Sequence, residues 1–102
     1  GLLAQGITAL LCTESPLAAR VYLTLAASRV RVPQDVSVVS LSDGTSPWPG
    51  PEPLAYVRLD RPAVGERAVQ LLLARLEGTA DRPQQVLMPC TYVPGASVGP
   101  PG

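Results

Sequence analysis

Apolar positions along this chain fall into short continuous runs and helical stripes. Ile7 to Cys12 is a nearly unbroken apolar run, which predicts a strand buried on both faces, as in a parallel sheet. Before it, Leu2 to Gln5 reads as the end of a helix closed by Gly6. Thr13-Glu14-Ser15-Pro16 opens a helix, with Ser15 as N-cap and Pro16 where a missing N–H costs nothing. This helix reaches about Ser28. Leu17, Val21 and Leu25 recur along one side, widened by Ala18, Tyr22 and Ala26, and Pro33 prevents continuation.

Val36 to Leu41 is a second β-rich run, and Ser42 to Pro53 is a Pro- and Gly-rich loop. Leu54 to Leu59 is a brief extended segment. Asp60-Arg61-Pro62 starts a second helix that reaches Glu77 and ends at Gly78. Its stripe is Val64, Ala68, Val69, Leu72, Leu73 and Leu76. Val64, Val69, Leu72 and Leu76 are expected to face a sheet or a partner chain. Asp81 to Pro83 is a turn, and Gln85 to Val93 is a last strand with Pro89 at an edge or bulge. From Pro94 a loose tail is expected. The order predicts an α/β fold: a mostly parallel sheet with flanking helices, built on a right-handed βαβ unit.

Composition narrows the chemistry. The 102 residues suffice for one small domain or a piece of a larger one, and 46% hydrophobic against 16% charged residues is globular. Formal net charge is zero, so the chain alone is a poor nucleic-acid binder. The absence of histidine excludes Ser-His-Asp and Cys-His catalysis, His metal sites and a histidine pH switch. Cys12 and Cys90 fit neither a CxxC motif nor a disulfide scaffold, and read as reduced thiols of a cytoplasmic protein. No phosphate-cradling loop, nucleophile elbow or metal-ligand spacing is present, so no enzyme, cofactor or metal is expected. No apolar run approaches the roughly 18 residues of a membrane span. The opening at Gly1, like the last turn of a helix, predicts that further sequence precedes it.

In an open parallel sheet, ligands bind beyond the carboxyl ends of the strands. Two such ends are legible: Thr13-Glu14-Ser15 and Ser42-Asp43-Gly44. If their strands are neighbours, both line one rim. Each residue has two readings. Glu14 either complements the positive end of the helix or contacts a ligand, and Ser15 either only caps or joins it. Asp43 before Gly44 forms a turn or contacts the ligand. Trp48 either anchors its loop or stacks on a ring-shaped ligand. The candidate ligand-binding set is Glu14, Ser15, Ser42, Asp43 and Trp48.

Arg31-Val32-Pro33-Gln34-Asp35-Val36-Ser37-Val38-Val39-Ser40 resembles the R-V-P-x-D-V-S-V-V-G stretch of the LacI/GalR family of bacterial transcription regulators. Ala9 to Ser15 resembles the strand entering that family's N-D helix start, and Pro53 to Arg58 its P-L-T-T-V-R crossover. Asp60 to Gly78 and Val86 to Pro89 resemble the next helix and strand, in register over nearly the whole chain. The chain departs from the family pattern at several points. The usual Asn and Asp are Glu14 and Ser15. Only Asp43 of an acidic pair is kept, beside Ser42. A crossover Gln found in some members is Leu59. The usual helix-ending Gly is Arg29, where a left-handed conformation would cost about 1 kcal/mol.

The resemblance implies the carboxyl-terminal part of a two-lobed effector-binding core, a partial periplasmic-binding-protein-like fold. Residues of about 7–54 would belong to the second lobe and about 60–80 to a helix of the first. The strand 85–93 would return, and 94–102 would be tail. It implies a cytoplasmic, homodimeric regulator that binds a small effector, a sugar or nucleoside-like molecule. Operator DNA would be bound only through an amino-terminal domain outside this chain. An extracytoplasmic sugar-binding transport protein of the same fold and a degenerate, dimerisation-only core are the alternatives. Neither of the two strand ends read above carries a basic residue. A neutral hydroxyl-rich or cationic effector is therefore expected rather than a phosphorylated sugar.

Overall fold

The computed structural model describes residues 5–45, 47–79 and 82–101; the helix end read over Leu2 to Gln5 and the start of the turn at Asp81 lie largely outside them. The elements run β1 (Ala9–Cys12), α1 (Ser15–Ala27), β2 (Ser37–Ser42), β3 (Ala55–Arg58), α2 (Arg61–Leu76) and β4 (Thr91–Val93). One sheet has the order β1-β2-β3-β4, with the first two pairings parallel and the last antiparallel. The α/β, mostly parallel architecture is as the periodicity predicts.

The core lies where α1 crosses β1 and β2. Cys12, Ala18, Val36 and Val38 are buried there, with Leu10, Val21 and Leu25 packed around them. Among the described residues a helix covers this face of the sheet and not the other. Leu11, which points the other way, is 64% exposed, so β1 is not buried on both faces as its apolar run suggests. An edge strand under a single helix has one dry side.

Glu14, not Ser15, is the N-cap of α1, and its side chain makes no capping bond. Pro16 follows within the first turn and has no N–H to donate, which leaves a capping side chain one partner fewer. Ser15 is the first helical residue and is buried. At the other end the helix closes through Arg29, whose φ of 61° is left-handed, with Val30 N–H bonding Leu25 O at 2.9 Å. A residue with a Cβ costs about 1 kcal/mol there.

The chain then enters β2 through a clasp. Arg31 donates from its backbone N (2.8 Å), Nε (3.1 Å) and Nη2 (3.1 Å) to the Asp35 carboxylate, and Asp35 N–H returns a bond to Arg31 O at 2.9 Å. The R-V-P-Q-D segment is therefore a folding element: a two-pronged guanidinium–carboxylate pair fixes the turn that aims β2.

The carboxyl-terminal segment is not loose. Ser97 is 2% exposed and fills a gap between β2 and the start of β3. Its Oγ donates to Val38 O (2.6 Å) and accepts from Ala55 N (2.8 Å), while its carbonyl accepts from Val38 N (2.9 Å). Gly99 exchanges bonds with Ser37 Oγ at 3.0 and 3.1 Å. Gly95 lets the backbones approach: a Cβ there would lie 2.6 Å from Ala55 N. By contrast, only Thr91–Val93 of the strand expected over Gln85–Val93 pairs with the sheet, and Leu87 is 97% exposed.

Helix α2 begins at an Asp60 cap, whose Oδ1 accepts from Ala63 N at 3.0 Å. It has no buried residue and packs on no other element. Val64, Val69, Leu72 and Leu76 are 46–73% exposed, so the sheet is not what their stripe faces. The chain is correspondingly long, 57 × 27 × 20 Å, with a radius of gyration of 18.1 Å against about 13 Å for a compact chain of 100 residues.

Ser97→Ala would leave Ala55 N–H and Val38 C=O without their buried side-chain partner. It is expected to lower stability by about 1–3 kcal/mol, read as a lower urea midpoint at fixed protein concentration. Gly95→Ala is expected to destabilise at least as much, because the clash is with backbone atoms that cannot step aside.

Candidate functional site

Because β1, β2 and β3 are parallel neighbours, their carboxyl ends share one rim. The first end delivers Glu14, Ser15 and Pro16, and the second delivers Ser42 and Asp43. The third runs from Arg58, paired with Ser42, into Asp60 and Arg61. Leu59 N–H binds Ser42 O at 2.7 Å and locks the second and third ends together. Glu14, Ser15, Pro16, Ser42, Asp43 and Arg61 line an open cavity of about 330 Å³. That is at the lower end of the size range of small-molecule sites.

Ser42 and Asp43 are set by a tight turn. Ser42 Oγ accepts from Gly44 N at 2.9 Å, and Gly44 has a φ of 85°. That φ favours glycine; a Cβ there would also meet the Tyr56 hydroxyl at 3.0 Å, a close contact that the ring must ease by a few tenths of an ångström. Asp43 Oδ1 accepts from Thr45 Oγ1 (2.6 Å) and Thr45 N (3.0 Å). Asp43 is thus a turn former with one oxygen and lines the cavity as well. The Thr45 hydroxyl and N–H, with the positive charge of Arg61, hold its carboxyl below the ordinary range.

Four of the five candidate residues meet at this cavity; Trp48 does not. Its ring stacks obliquely on Tyr22 of α1, centroids 4.9 Å apart at 57°, and Nε1 donates to Glu52 O at 2.7 Å. It is a loop anchor.

Arg61 was not among the candidates. It follows an extended segment too short to signal a strand by itself. Only the parallel pairing of β3 with β2 brings its carboxyl end to this rim. The two strand ends read from the sequence carry no basic residue, and the third, that of β3, adds one. The cavity carries Glu14 and Asp43 against Arg61, a net charge of −1, together with two buried serines. The arrangement offers hydrogen-bond acceptors and donors at close quarters, and no nucleophile–base pair. Cys12 lies beneath, its thiol pushed up by burial and so held protonated. Among the described residues no helix is long and apolar enough to cross a membrane.

With this geometry in place, comparison with known proteins defines the class. Residues 2–98 match the periplasmic binding protein-like domain, and the chain belongs to that family. Within it, the chain is of the effector-domain type found in LacI/GalR regulators, in agreement with the motif at Arg31–Ser40. It is 33% identical over 102 residues to the HTH-type transcriptional regulator MalR of Streptomyces coelicolor and to the HTH-type transcriptional regulator reg1 of Streptomyces lividans. These alignments take in 99% of this chain and 30% of each relative, so the chain spans under a third of their length. No solved structure matches the chain significantly.

Asp35 and Asp43 both titrate below the ordinary carboxylate range, Asp35 because of its bonds from Arg31. A carboxyl depressed in the folded state adds stability that is fully present above about pH 4 and lost as the pH falls through its folded value. The urea midpoint is expected to hold above about pH 5 and to drop on acidification below about pH 4. Asp35→Asn and Asp43→Asn should each flatten that drop.

Proposed function

We propose that this chain is the effector-sensing segment of a LacI/GalR-type DNA-binding regulator, and that the rim cavity receives a small, hydroxyl-rich effector of the sugar or nucleoside class. The observation that carries this reading is the joint between the sheet and α2. Carboxylates and serines at the strand ends and the start of α1, and a guanidinium on α2, which among the described elements packs on none, line one cavity at the crossover. In this reading residues 7–54 with the returning strand 85–93 and the tail belong to one lobe, and α2 to the other. An effector bridging them fixes the angle between the lobes. Such coupling typically shifts affinity at a distant site by about 1–3 kcal/mol. DNA contact falls to a helix-turn-helix outside this chain, consistent with the zero net charge here. The role is binding, not catalysis, in a cytoplasmic protein acting as a homodimer.

The test is calorimetry of the full-length regulator against neutral sugars, nucleosides and sugar phosphates. One neutral hydroxyl-rich compound is expected to bind and to change operator affinity. Glu14→Gln and Asp43→Asn should each weaken it by about tenfold, the loss of one charge-assisted hydrogen bond. Binding indifferent to both substitutions would place the effector elsewhere.

A further inference from the structure

Arg61 and Asp43 line the same cavity and feel each other's charge, yet they close no ion pair: their N···O separations exceed 4.0 Å. Among the described residues, the side-chain hydrogen bonds made by arginines belong to Arg31 and Arg67, and none engages the Arg61 guanidinium. Asp43 spends Oδ1 on Thr45, and among the described residues Oδ2 accepts no hydrogen bond. A group that can only donate and an oxygen that can only accept therefore border one gap. An ammonium fits only the carboxylate, and a phosphate or carboxylate fits only the guanidinium. A hydroxyl satisfies both at a single atom, accepting from Arg61 and donating to Asp43. Glu14 on the neighbouring strand end leaves the cavity one negative charge in excess, which opposes a second anion.

Resting on the rim cavity as the effector site, we propose that Arg61 is the specificity-determining residue that selects the effector class. With Asp43 it grips a hydroxyl of a neutral polyol, and the surplus carboxylate turns away the phosphorylated or uronate form of the same molecule. Arg61 thus works as one half of a hydroxyl clamp and not as an anion hook. The clamp spans the crossover, with Asp43 on the sheet and Arg61 on the first turn of α2, so only a ligand offering a hydroxyl at that point ties the two together.

The experiment is calorimetry on the full-length protein with matched probes: neutral mono- and disaccharides, glucuronate and glucose 6-phosphate. Arg61 is exposed, so Arg61→Gln and Arg61→Lys should leave the circular dichroism spectrum and urea midpoint unchanged. For the neutral sugar that binds, Arg61→Gln should weaken binding about tenfold, and Arg61→Lys should recover part of it. Glu14→Gln with Asp43→Asn, which reverses the cavity's net charge, should improve glucuronate or glucose 6-phosphate at least tenfold relative to the neutral sugar. Undiminished binding of the neutral sugar by Arg61→Gln overturns the clamp while the cavity stands as the effector site. So does tightest binding of glucose 6-phosphate or glucuronate by the unaltered protein. If no probe binds the unaltered protein, the clamp falls, and the effector-site reading falls with it only if the nucleosides fail to bind as well.

Discussion

The hydrogen bonds of Ser97 set the frame for everything at the opposite end of the sheet. One side chain and one carbonyl bridge Val38 on β2 and Ala55 at the start of β3, inside a dry gap between the two strands. That bridge fixes the register in which Val39 lies beside Ala55. Counting along the strands, the same register puts Ser42 beside Arg58, and the next residues carry Asp43 and Arg61 to one cavity. A slip of one residue would turn every β3 side chain to the other face. The site at the carboxyl ends of the strands is therefore positioned from their amino ends, by a residue that never approaches it.

The second constraint is imbalance. One face of the sheet is dry under α1, whereas the other face and all of α2 present apolar side chains to water. The buried set is small: among the described residues, Cys12, Ala18, Val36, Val38 and Ala55 are the fully buried apolar ones. Polar ties take a correspondingly large share of the order, in the Arg31–Asp35 clasp, the Asp43–Thr45 turn and the Ser97 bridge. Two of those three involve carboxylates, which links the integrity of the turns flanking β2 to acidity.

Much of the scaffold is legible in the sequence because its signals are local. Pro16 and the spacing of Val21 and Leu25 give α1; the valines around position 38 give β2; Asp60-Arg61-Pro62 opens α2. The parts that are not legible depend on distant partners. The segment Pro94–Pro101 has the composition of a loop, and its order comes from bonds reaching back 42 and 59 residues. The apolar run at β1 suggests two covered faces, but coverage is a property of what packs above and below, which no run of residues encodes. The α2 stripe is legible as an apolar face, but nothing in it says what lies against it. At the cavity, Glu14, Ser15, Ser42 and Asp43 follow from a general rule about strand ends. Arg61 does not, because its strand is only four residues long and becomes recognisable through pairing.

The elongated outline has a hydrodynamic consequence. By the usual scaling of size with length, a radius of gyration of 18.1 Å belongs to a compact chain of about 250 residues. A 10.6 kDa molecule of this shape has the radius of gyration of a compact one more than twice its mass, and meets more friction than a compact one of its own mass. In a sizing column a single copy would run ahead of a compact monomer of its mass, and only a method that weighs the particle, such as light scattering or sedimentation equilibrium, separates shape from stoichiometry.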